Sequence, residues 1–363
     1  MTILLDEGQQ AIATESRRIA EARADQARAL ALLEGDGGYD EGWWTMAGEQ
    51  GWSALAVPEE HGGLGLGLVE LGQVALGIGA TLAGAPFLTG GYALSDAIAR
   101  HGDDGAKARW LGGLASGETR GAVAIGEGAD PLPLAPAVTL TNGKLTGVKT
   151  AVTGGLHADV ALVLANDAGV PRLCLADLAG VERRRITSFD NSRGVADILF
   201  HDTPATPLGS ADAVGAALDV LARCAIVTAF EQVGGAEALM LRARDYAVTR
   251  KAFGQPIGAF QSVKHRIAEL YGLVEIARAN ALHAAANSEG PQLVRHAAAA
   301  RLAATEAYDT AARDCIQIHG GIGVTWEAGL HLHMRRTRTL AIEGGNMIFW
   351  EDRLVDDLAG EMA

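Results

Sequence analysis

One acidic residue near the C-terminus of this 363-residue chain stands between two apolar runs. Glu343 follows Leu-Ala-Ile, and after Gly344, Gly345 and Asn346 the chain continues Met-Ile-Phe-Trp. An unpaired carboxylate is costly to bury in such surroundings, and a carboxylate held away from water is suited to removing a proton. The glycines would give a substrate access to it. The alternative is that Glu343 is an N-cap or first-turn acid, stabilising the last helix through the helix dipole.

A second segment combines basic, aromatic and amide side chains. It reads Arg-Lys-Ala-Phe-Gly-Gln-Pro-Ile-Gly-Ala-Phe-Gln, from Arg250 to Gln261. A guanidinium forms charge-assisted hydrogen bonds with phosphate, and an aromatic ring such as that of Phe253 stacks on a base. The segment therefore fits an anionic, aromatic cofactor, or it is an ordinary connector between two helices.

Two glycine-containing segments could approach the same kind of cofactor. After Gln317 and a histidine, Gly320 and Gly321 mark an expected helix end, where backbone without Cβ atoms can approach a pyrophosphate or simply form a C-cap. Thr153 precedes two glycines at the end of an expected hairpin. Its hydroxyl could contact the edge of a ring or stabilise the turn.

Composition and spacing argue against several other functions. The net charge of −14 disfavours a nucleic-acid partner, and the three scattered cysteines suggest neither a disulfide framework nor a zinc site. His331 and His333 would lie on nearly opposite faces of a helix, so no metal site is expected there. A serine-hydrolase motif and a phosphate-loop signature are both missing from the sequence.

The hydrophobic pattern changes twice along the chain, and this predicts three domains. Residues 1–118 have the pattern of helices, residues 119–210 that of short strands, and residues 211–363 that of helices again. Asn142-Gly143 predicts a type I′ hairpin turn. We therefore expect a mostly α fold with an N-terminal helical domain, a middle antiparallel β domain and a C-terminal four-helix bundle.

Helical spacing of apolar residues in the last region supports the bundle. The stripe consists of Val263, Ile267, Leu270, Tyr271, Val274, Ala277 and Ala281. The N-terminus lacks the features of a signal peptide, and no stretch has about 18 uninterrupted apolar residues. A cytoplasmic protein without a membrane span is expected.

Taken together and in this order, these segments resemble the acyl-CoA dehydrogenase family of flavoproteins. Four stretches carry the resemblance besides the early Gly-Trp-Ser-Ala-Leu-Ala-Val-Pro-Glu-Glu-His-Gly-Gly-Leu-Gly-Leu-Gly: Lys-Thr-Ala-Val-Thr-Gly-Gly, the Arg250–Gln261 segment, Gln-Ile-His-Gly-Gly-Ile-Gly and Glu-Gly-Gly-Asn. The resemblance covers essentially the whole chain. It implies FAD held between the middle and C-terminal domains and across a subunit interface, in a homo- or hetero-oligomer, either a dimer or a tetramer.

The resemblance also implies roles for single residues. Glu343 would remove the α proton of an acyl-CoA thioester while the β hydrogen leaves as hydride to flavin N5, with Gly344 beside the substrate. An electron-transfer flavoprotein would then accept the electrons, as in β-oxidation or other lipid catabolism. Contacts to the FAD of a neighbouring subunit are implied for Arg250, Phe253, Gln261, Gln317, Gly320 and Gly321. Thr153 would face the flavin ring, and further FAD contacts are implied for Gly345 and Asn346.

The sequence departs from the family pattern at several positions. Ala151 stands where an aromatic residue is usual, and the flavin loop is the divergent stretch 125–131. Some members carry the base on the first bundle helix, where this chain has Cys224, with Glu231 nearby as a second candidate. In strict register Gly344 would occupy the position of the base. The alternatives are a non-catalytic partner subunit of a heteromeric enzyme and a flavin oxidase or monooxygenase.

Overall fold

The computed structural model describes residues 5–82, 91–209 and 211–362. Helices precede and follow a block of strands, as expected. The helices are α1 (Glu7–Ala22), α2 (Gln26–Glu34), α3 (Glu41–Glu49), α4 (Leu68–Thr81), α5 (Ala93–His101), α6 (Asp104–Ser116), α7 (Ala213–Thr249), α8 (Gln261–Ala286), α9 (Leu293–His319), α10 (Leu330–Leu340) and α11 (Met347–Met362). The strands are β1 (Gly121–Ala124), β2 (Thr139–Thr141), β3 (Lys144–Val152), β4 (Val160–Asp167), β5 (Val170–Asp177), β6 (Glu182–Arg185), β7 (Ala196–Pro207), β8 (Lys251–Ala252) and β9 (Gln255–Pro256).

The chain divides into two compact units. The first consists of Met1–Ala31, Gly72–Ala83 and Ala225–Ala363, and the second of Leu32–Leu71 and Gly84–Cys224. The division passes through α4 and α7, so it follows packing rather than chain order. The three domain ranges expected from the sequence stay predictions.

The main sheet, in the second unit, has seven strands and closes on itself. β4 pairs with β5, β5 with β7, β7 with β3, β3 with β2, and β2 again with β4, while β1 lies beside β4 and β6 beside β7. Alternate side chains of these strands point inward and form an apolar core. Leu145, Val163, Cys174 and Ile198 are fully buried there.

The hairpin at Asn142-Gly143 is confirmed, because both residues have positive φ, +52° and +72°, and Thr141 pairs with Lys144. The expected antiparallel β domain contains parallel pairs as well, β1 with β4 and β2 with β4. The β2–β3 hairpin lies within the long connection from β1 to β4, and such a crossover permits parallel pairing. The sequence did not predict β6, since Glu-Arg-Arg-Arg has no apolar alternation.

In the first unit, α9 packs against α8, α10 and α11. Helix α7 approaches α9 closely at Gly235, because a Cβ at this position would lie only 2.4 Å from the Tyr308 ring of α9. On α8 the expected stripe is buried from Leu270 to Ala281, except that Tyr271 is 57% exposed. Tyr271 follows Leu270 directly and is therefore turned about 100° around the helix from it, at the edge of the stripe.

Helix α7 is long and apolar enough to cross a membrane. Its most apolar window has a mean hydropathy of 1.8, and 78% of that window is buried inside the fold. Burial of this extent is typical of a core helix, and we interpret α7 as one.

Candidate functional site

Glu343 lies in the short turn that joins α10 to α11. The Glu343 amide still donates a hydrogen bond to the carbonyl of Thr339, at 3.2 Å. Gly344 and Gly345 then take positive φ angles of +69° and +114° and redirect the chain. The Glu343 side chain is half-buried, so it is not enclosed in the core of the unit.

Asn346, and not Glu343, caps the last helix. The Asn346 side-chain oxygen accepts a hydrogen bond from the Phe349 amide at 3.0 Å, and its carbonyl accepts from the Trp350 amide at 3.2 Å. Because α11 begins at Met347, the interpretation of Glu343 as an N-cap or first-turn acid is wrong.

The apolar residues around Glu343 are only partly buried. Leu340 and Trp350 have no exposed surface, whereas Ile342 is 69% and Ile348 66% exposed. The carboxylate is therefore less enclosed than the apolar sequence suggests. The two isoleucines leave an apolar surface beside it that a ligand can contact.

A buried arginine on α9 holds the main chain of this turn. Arg301 is 1% exposed, and its Nη2 donates hydrogen bonds to the carbonyls of Leu340 and of Glu343, the latter at 3.1 Å. Its Nη1 donates to Gln232 Oε1 at 2.6 Å and to Thr305 Oγ1 at 3.3 Å. These carbonyls lie at the C-terminal end of a helix, where partial negative charge favours a cation. The turn is thereby connected to α7 and α9.

Glu231, the second acidic candidate, is part of the core. Its carboxylate forms an ion pair with Arg336 at 2.9 Å, and neither side chain has exposed surface. Cys224, on the same helix, is buried too. Of the two carboxylates considered, only Glu343 is accessible to a substrate.

The segment from Arg250 to Gln261 forms a tight hairpin between α7 and α8. Strands β8 and β9 pair, with Phe253 (φ +52°) and Gly254 (φ +83°) at the tip. The Phe253 ring is 96% exposed and meets Phe260 edge to face at 6.2 Å. Arg250 and Gln261 are also exposed. The structure thus brings these three predicted cofactor contacts to one accessible corner.

The glycines after α9 form an open stretch of backbone. Gly320 ends the helix, as expected, with a φ of +62°. Among the described residues, no atom lies within 4 Å of a Cβ built at Gly320 or Gly321. Gln317, in the last turn of α9, is exposed. This backbone is accessible to a large ligand.

A ring contact connects the hairpin to the end of α9. Tyr246, four residues before Arg250, stacks on His319 with ring centroids 4.1 Å apart and an interplanar angle of 21°. Burial lowers the pKa of His319 and so disfavours the charged form of the ring. The fold therefore places two segments that are far apart in sequence next to each other.

Thr153 belongs to the other unit, where it follows β3. It is half-buried, and the neighbouring Gly154 amide donates a hydrogen bond to the Arg193 carbonyl at 2.9 Å. Ala151 has a φ of +53°, and its amide donates to Asp197 Oδ1 at 3.0 Å. Ala151 is exposed, so no aromatic ring covers the surface at this position.

A buried lysine fixes the divergent loop 125–131. Lys149 Nζ donates hydrogen bonds to the Ile125 carbonyl at 2.9 Å and to Glu127 Oε1 at 2.7 Å. Burial lowers the pKa of Lys149. Partial burial of Glu127 opposes its ionisation, but the Ala137 amide and Lys149 outweigh this and lower the pKa of the carboxyl. The Glu127 carboxylate therefore shapes the loop.

Of the remaining candidates for metal or thiol chemistry, the cysteines and His333 are buried, and His331 is half-buried. Within the described ranges, no three or more His, Cys, Asp or Glu residues could hold a metal ion together. Burial raises the pKa of Cys174 and of Cys315 to about 12. His331 stacks on Trp326, whereas His333 is buried with Nδ1 2.8 Å from the Tyr308 hydroxyl.

Sequence reasoning missed Arg301 and Gln232. One signal was present, because Arg301 lies on α9 three or four residues from Ala297, Ala298 and Ala304, all of which are buried. A cation on the buried face of an alanine-rich helix indicates a buried polar network. Its partners lie elsewhere in the chain and could not be read from spacing.

Comparisons with known proteins match most of the chain to one family, the acyl-CoA dehydrogenases. The family model for the acyl-CoA dehydrogenase N-terminal domain matches residues 6–118, and the model for the C-terminal domain matches residues 214–347. The chain is 34% identical over 319 residues to acyl-CoA dehydrogenase IpdE2 of Mycobacterium tuberculosis, an alignment that covers 86% of this chain and 85% of that protein.

Two solved structures show the same architecture. A variant of the Tcur3481-Tcur3483 steroid ACAD aligns with a TM-score of 0.87 and 28% identity over 98% of this chain and 99% of that one. A glutaryl-CoA dehydrogenase of Mycobacterium smegmatis in complex with FADH2 aligns with a TM-score of 0.86 over 99% of this chain and 96% of that one. At 20% identity, the second similarity concerns the fold alone.

Proposed function

Because the chain belongs to the acyl-CoA dehydrogenase family of FAD-dependent oxidoreductases, we propose that it converts an acyl-CoA thioester to the trans-2-enoyl-CoA with Glu343 as the base. The observation that carries the proposal is the position of Glu343. Its half-buried side chain stands on a turn whose main chain is fixed by Arg301. Gly344 lies next to it, and no atom of a described residue lies within 4 Å of a Cβ built there, so a substrate can approach Glu343 from this side.

The chemistry requires more than a carboxylate. An α proton beside a thioester is too weakly acidic for a carboxylate acting alone, and hydrogen bonds to the thioester oxygen together with concerted loss of the β hydrogen lower the barrier. Glu343 takes the α proton and holds it on its carboxyl group. The exposed Ile342 and Ile348 supply apolar surface for an acyl group beside the carboxylate.

The residues present fit FAD. Exposed Arg250 and Gln261, with the open backbone at Gly320 and Gly321, offer the donors that a diphosphate needs, and the exposed Phe253 ring fits an adenine. When bound, FAD supplies the acceptor for the hydride that leaves the β carbon. The other proposed cofactor contacts are Gln317, Thr153, Gly345 and Asn346.

The test is anaerobic reduction of the purified flavoprotein by a panel of CoA esters. Because the aligned Tcur3481-Tcur3483 protein is described as a steroid ACAD, steroid thioesters belong in the panel beside linear and branched ones. We expect the flavin absorbance to bleach with at least one ester, and Glu343→Gln to abolish bleaching while FAD stays bound. Glu351→Gln, which changes an exposed acid on α11, is the matched control and should still bleach. Bleaching by Glu343→Gln at the wild-type rate would remove Glu343 from this role.

A second candidate is a partner subunit that completes an FAD site in a hetero-oligomer. The divergent loop 125–131 favours it, because Glu127 is bound to Lys149 and both Gly126 and Gly128 lack side chains that could contact a flavin. In that case the chain purified alone would be colourless and would become yellow after co-expression with a related chain.

The remaining proposals concern the cellular setting. We propose an electron-transfer flavoprotein as the electron acceptor, a dimeric or tetrameric assembly, and a role in β-oxidation or related lipid catabolism in the cytoplasm. Reduction of an electron-transfer flavoprotein by the enzyme and its acyl-CoA substrate, compared with reoxidation in air, separates a dehydrogenase from an oxidase.

A further inference from the structure

We propose that Arg301 is a positioning residue for Glu343, holding the main chain of the α10–α11 turn so that the Glu343 carboxylate faces the substrate. The inference rests on the proposed function, since it takes Glu343 as the base. It adds a residue outside the motifs, which holds the turn through hydrogen bonds to the carbonyls of Leu340 and Glu343.

The backbone of the α10–α11 turn does not fix its own conformation and needs a hydrogen-bond partner from another helix. After Glu343, Gly344 and Gly345 both have positive φ, and glycine backbone adopts many other conformations at little cost. The Glu343 amide is held by the Thr339 carbonyl, but helix ends leave the last carbonyls without partners inside the helix. The Glu343 carbonyl finds its partner in Arg301, 3.1 Å away on α9.

The arginine is itself oriented. Gln232 Oε1 and Thr305 Oγ1 accept from Nη1, while Nη2 points at the carbonyls of Leu340 and Glu343. A planar guanidinium that binds two pairs of acceptors at once fixes direction as well as distance. The ammonium of lysine has no such plane, so Arg301→Lys keeps the charge but cannot bind both pairs of acceptors in fixed directions.

The experiment compares Arg301→Lys with Arg336→Lys in the FAD-loaded enzyme. Arg336 is the matched control, because it is equally buried and pairs with Glu231 on α7. Three measurements are made on each variant: amide hydrogen exchange of the peptide covering residues 341–346, kcat and KM with the best ester from the panel, and the isotope effect with that ester deuterated at the α carbon.

We expect Arg301→Lys to exchange the turn amides about tenfold faster, because a hydrogen-bonded anchor is lost. The kcat should fall about 10- to 100-fold, since a misplaced base slows the chemical step. KM should stay within about twofold and the α-deuterium isotope effect should rise, as expected when proton removal limits turnover. FAD content should equal that of the wild type, and Arg336→Lys should keep the wild-type exchange and kcat.

Unchanged exchange in Arg301→Lys, or faster exchange with unchanged kcat, overturns the inference. If Arg301→Lys does not fold, Gln232→Met and Thr305→Val remove the acceptors of Arg301 singly. Each should then speed exchange of residues 341–346 and lower kcat while KM stays near the wild-type value, and wild-type exchange and kcat in both variants overturn the inference.

The proposed function and this inference fail in distinguishable ways. Activity retained in Glu343→Gln overturns both together, because the residue being positioned would then not be the base. An inactive Glu343→Gln beside a fully active Arg301→Lys overturns this inference alone.

Discussion

The carboxylate of Glu231 and the guanidinium of Arg336 lie 2.9 Å apart, and neither side chain has any exposed surface. Removing one partner of such a pair leaves an uncompensated charge in the core, which costs about 3 to 5 kcal/mol. We therefore expect Glu231→Gln to lower the free energy of unfolding by about 3 kcal/mol, measured by urea denaturation. The variant should still reduce its flavin with substrate at low temperature, because the ion pair stabilises the core and takes no part in the reaction.

The double variant Glu231→Gln/Arg336→Met is the control for this prediction. It removes both charges, and replacing a buried ion pair by neutral side chains is often close to neutral in stability. Recovery of most of the lost stability is expected. A single variant as stable as the wild type would contradict the prediction.

The two glycines after Glu343 should respond differently to alanine. A Cβ at Gly345 would lie 2.6 Å from the Phe349 ring at a φ of +114°, whereas a Cβ at Gly344 meets no described atom within 4 Å. Gly344→Ala should therefore cost only backbone strain, about 1 kcal/mol, and Gly345→Ala about 2 to 4 kcal/mol. Thermal unfolding of both variants measures the difference, and equal losses would refute the placement of this turn.

Phe253 should contribute to FAD affinity and not to stability. Its ring is 96% exposed, so Phe253→Ala should change the free energy of unfolding of the apoprotein by less than about 0.5 kcal/mol. Loss of stacking on the adenine should weaken FAD binding about tenfold, measured by fluorescence titration. Phe189→Ala, which removes a ring that is 75% exposed, is the control and should leave FAD affinity unchanged.

His333 should make the protein sensitive to acid. Burial, with Arg242 and Arg336 nearby, lowers the pKa of His333 from 6.5 to about 3. The unfolded chain binds this proton as the pH falls below 6.5 while the folded protein does not, so stability is complete above pH 6.5 and declines toward pH 3. The loss is up to roughly 5 kcal/mol.

His333→Gln tests this linkage, because it removes the titrating ring and keeps a side chain that can form a hydrogen bond with the Tyr308 hydroxyl. Its free energy of unfolding should decline less steeply than that of the wild type between pH 7 and pH 4, and the two slopes should differ by up to about one bound proton. Parallel profiles for His333→Gln and the wild type would rule out His333 as the source.

Local patterns in the sequence predicted much of the fold. The family resemblance, fold class and enzyme class are confirmed, and so are the turn at Asn142-Gly143 and the helix end at Gly320. The turn, the helix end and the order of helices and strands depend on residues that are close in sequence, through positive φ, helical spacing and strand alternation. The charged strand β6 escaped prediction, because its pairing with β7 determines its conformation.

The site illustrates what the sequence determined by itself and what required the tertiary structure. Motif order identified Glu343 and the cofactor segments as candidates. Only the fold excluded Glu343 from the helix cap, buried Glu231 against Arg336, and placed Arg301 behind the turn. Glu231 and Arg336 are 105 residues apart, and Arg301 and Glu343 are 42 apart. Such contacts arise when helices pack side by side, and the periodicity of one helix does not encode the partner it meets.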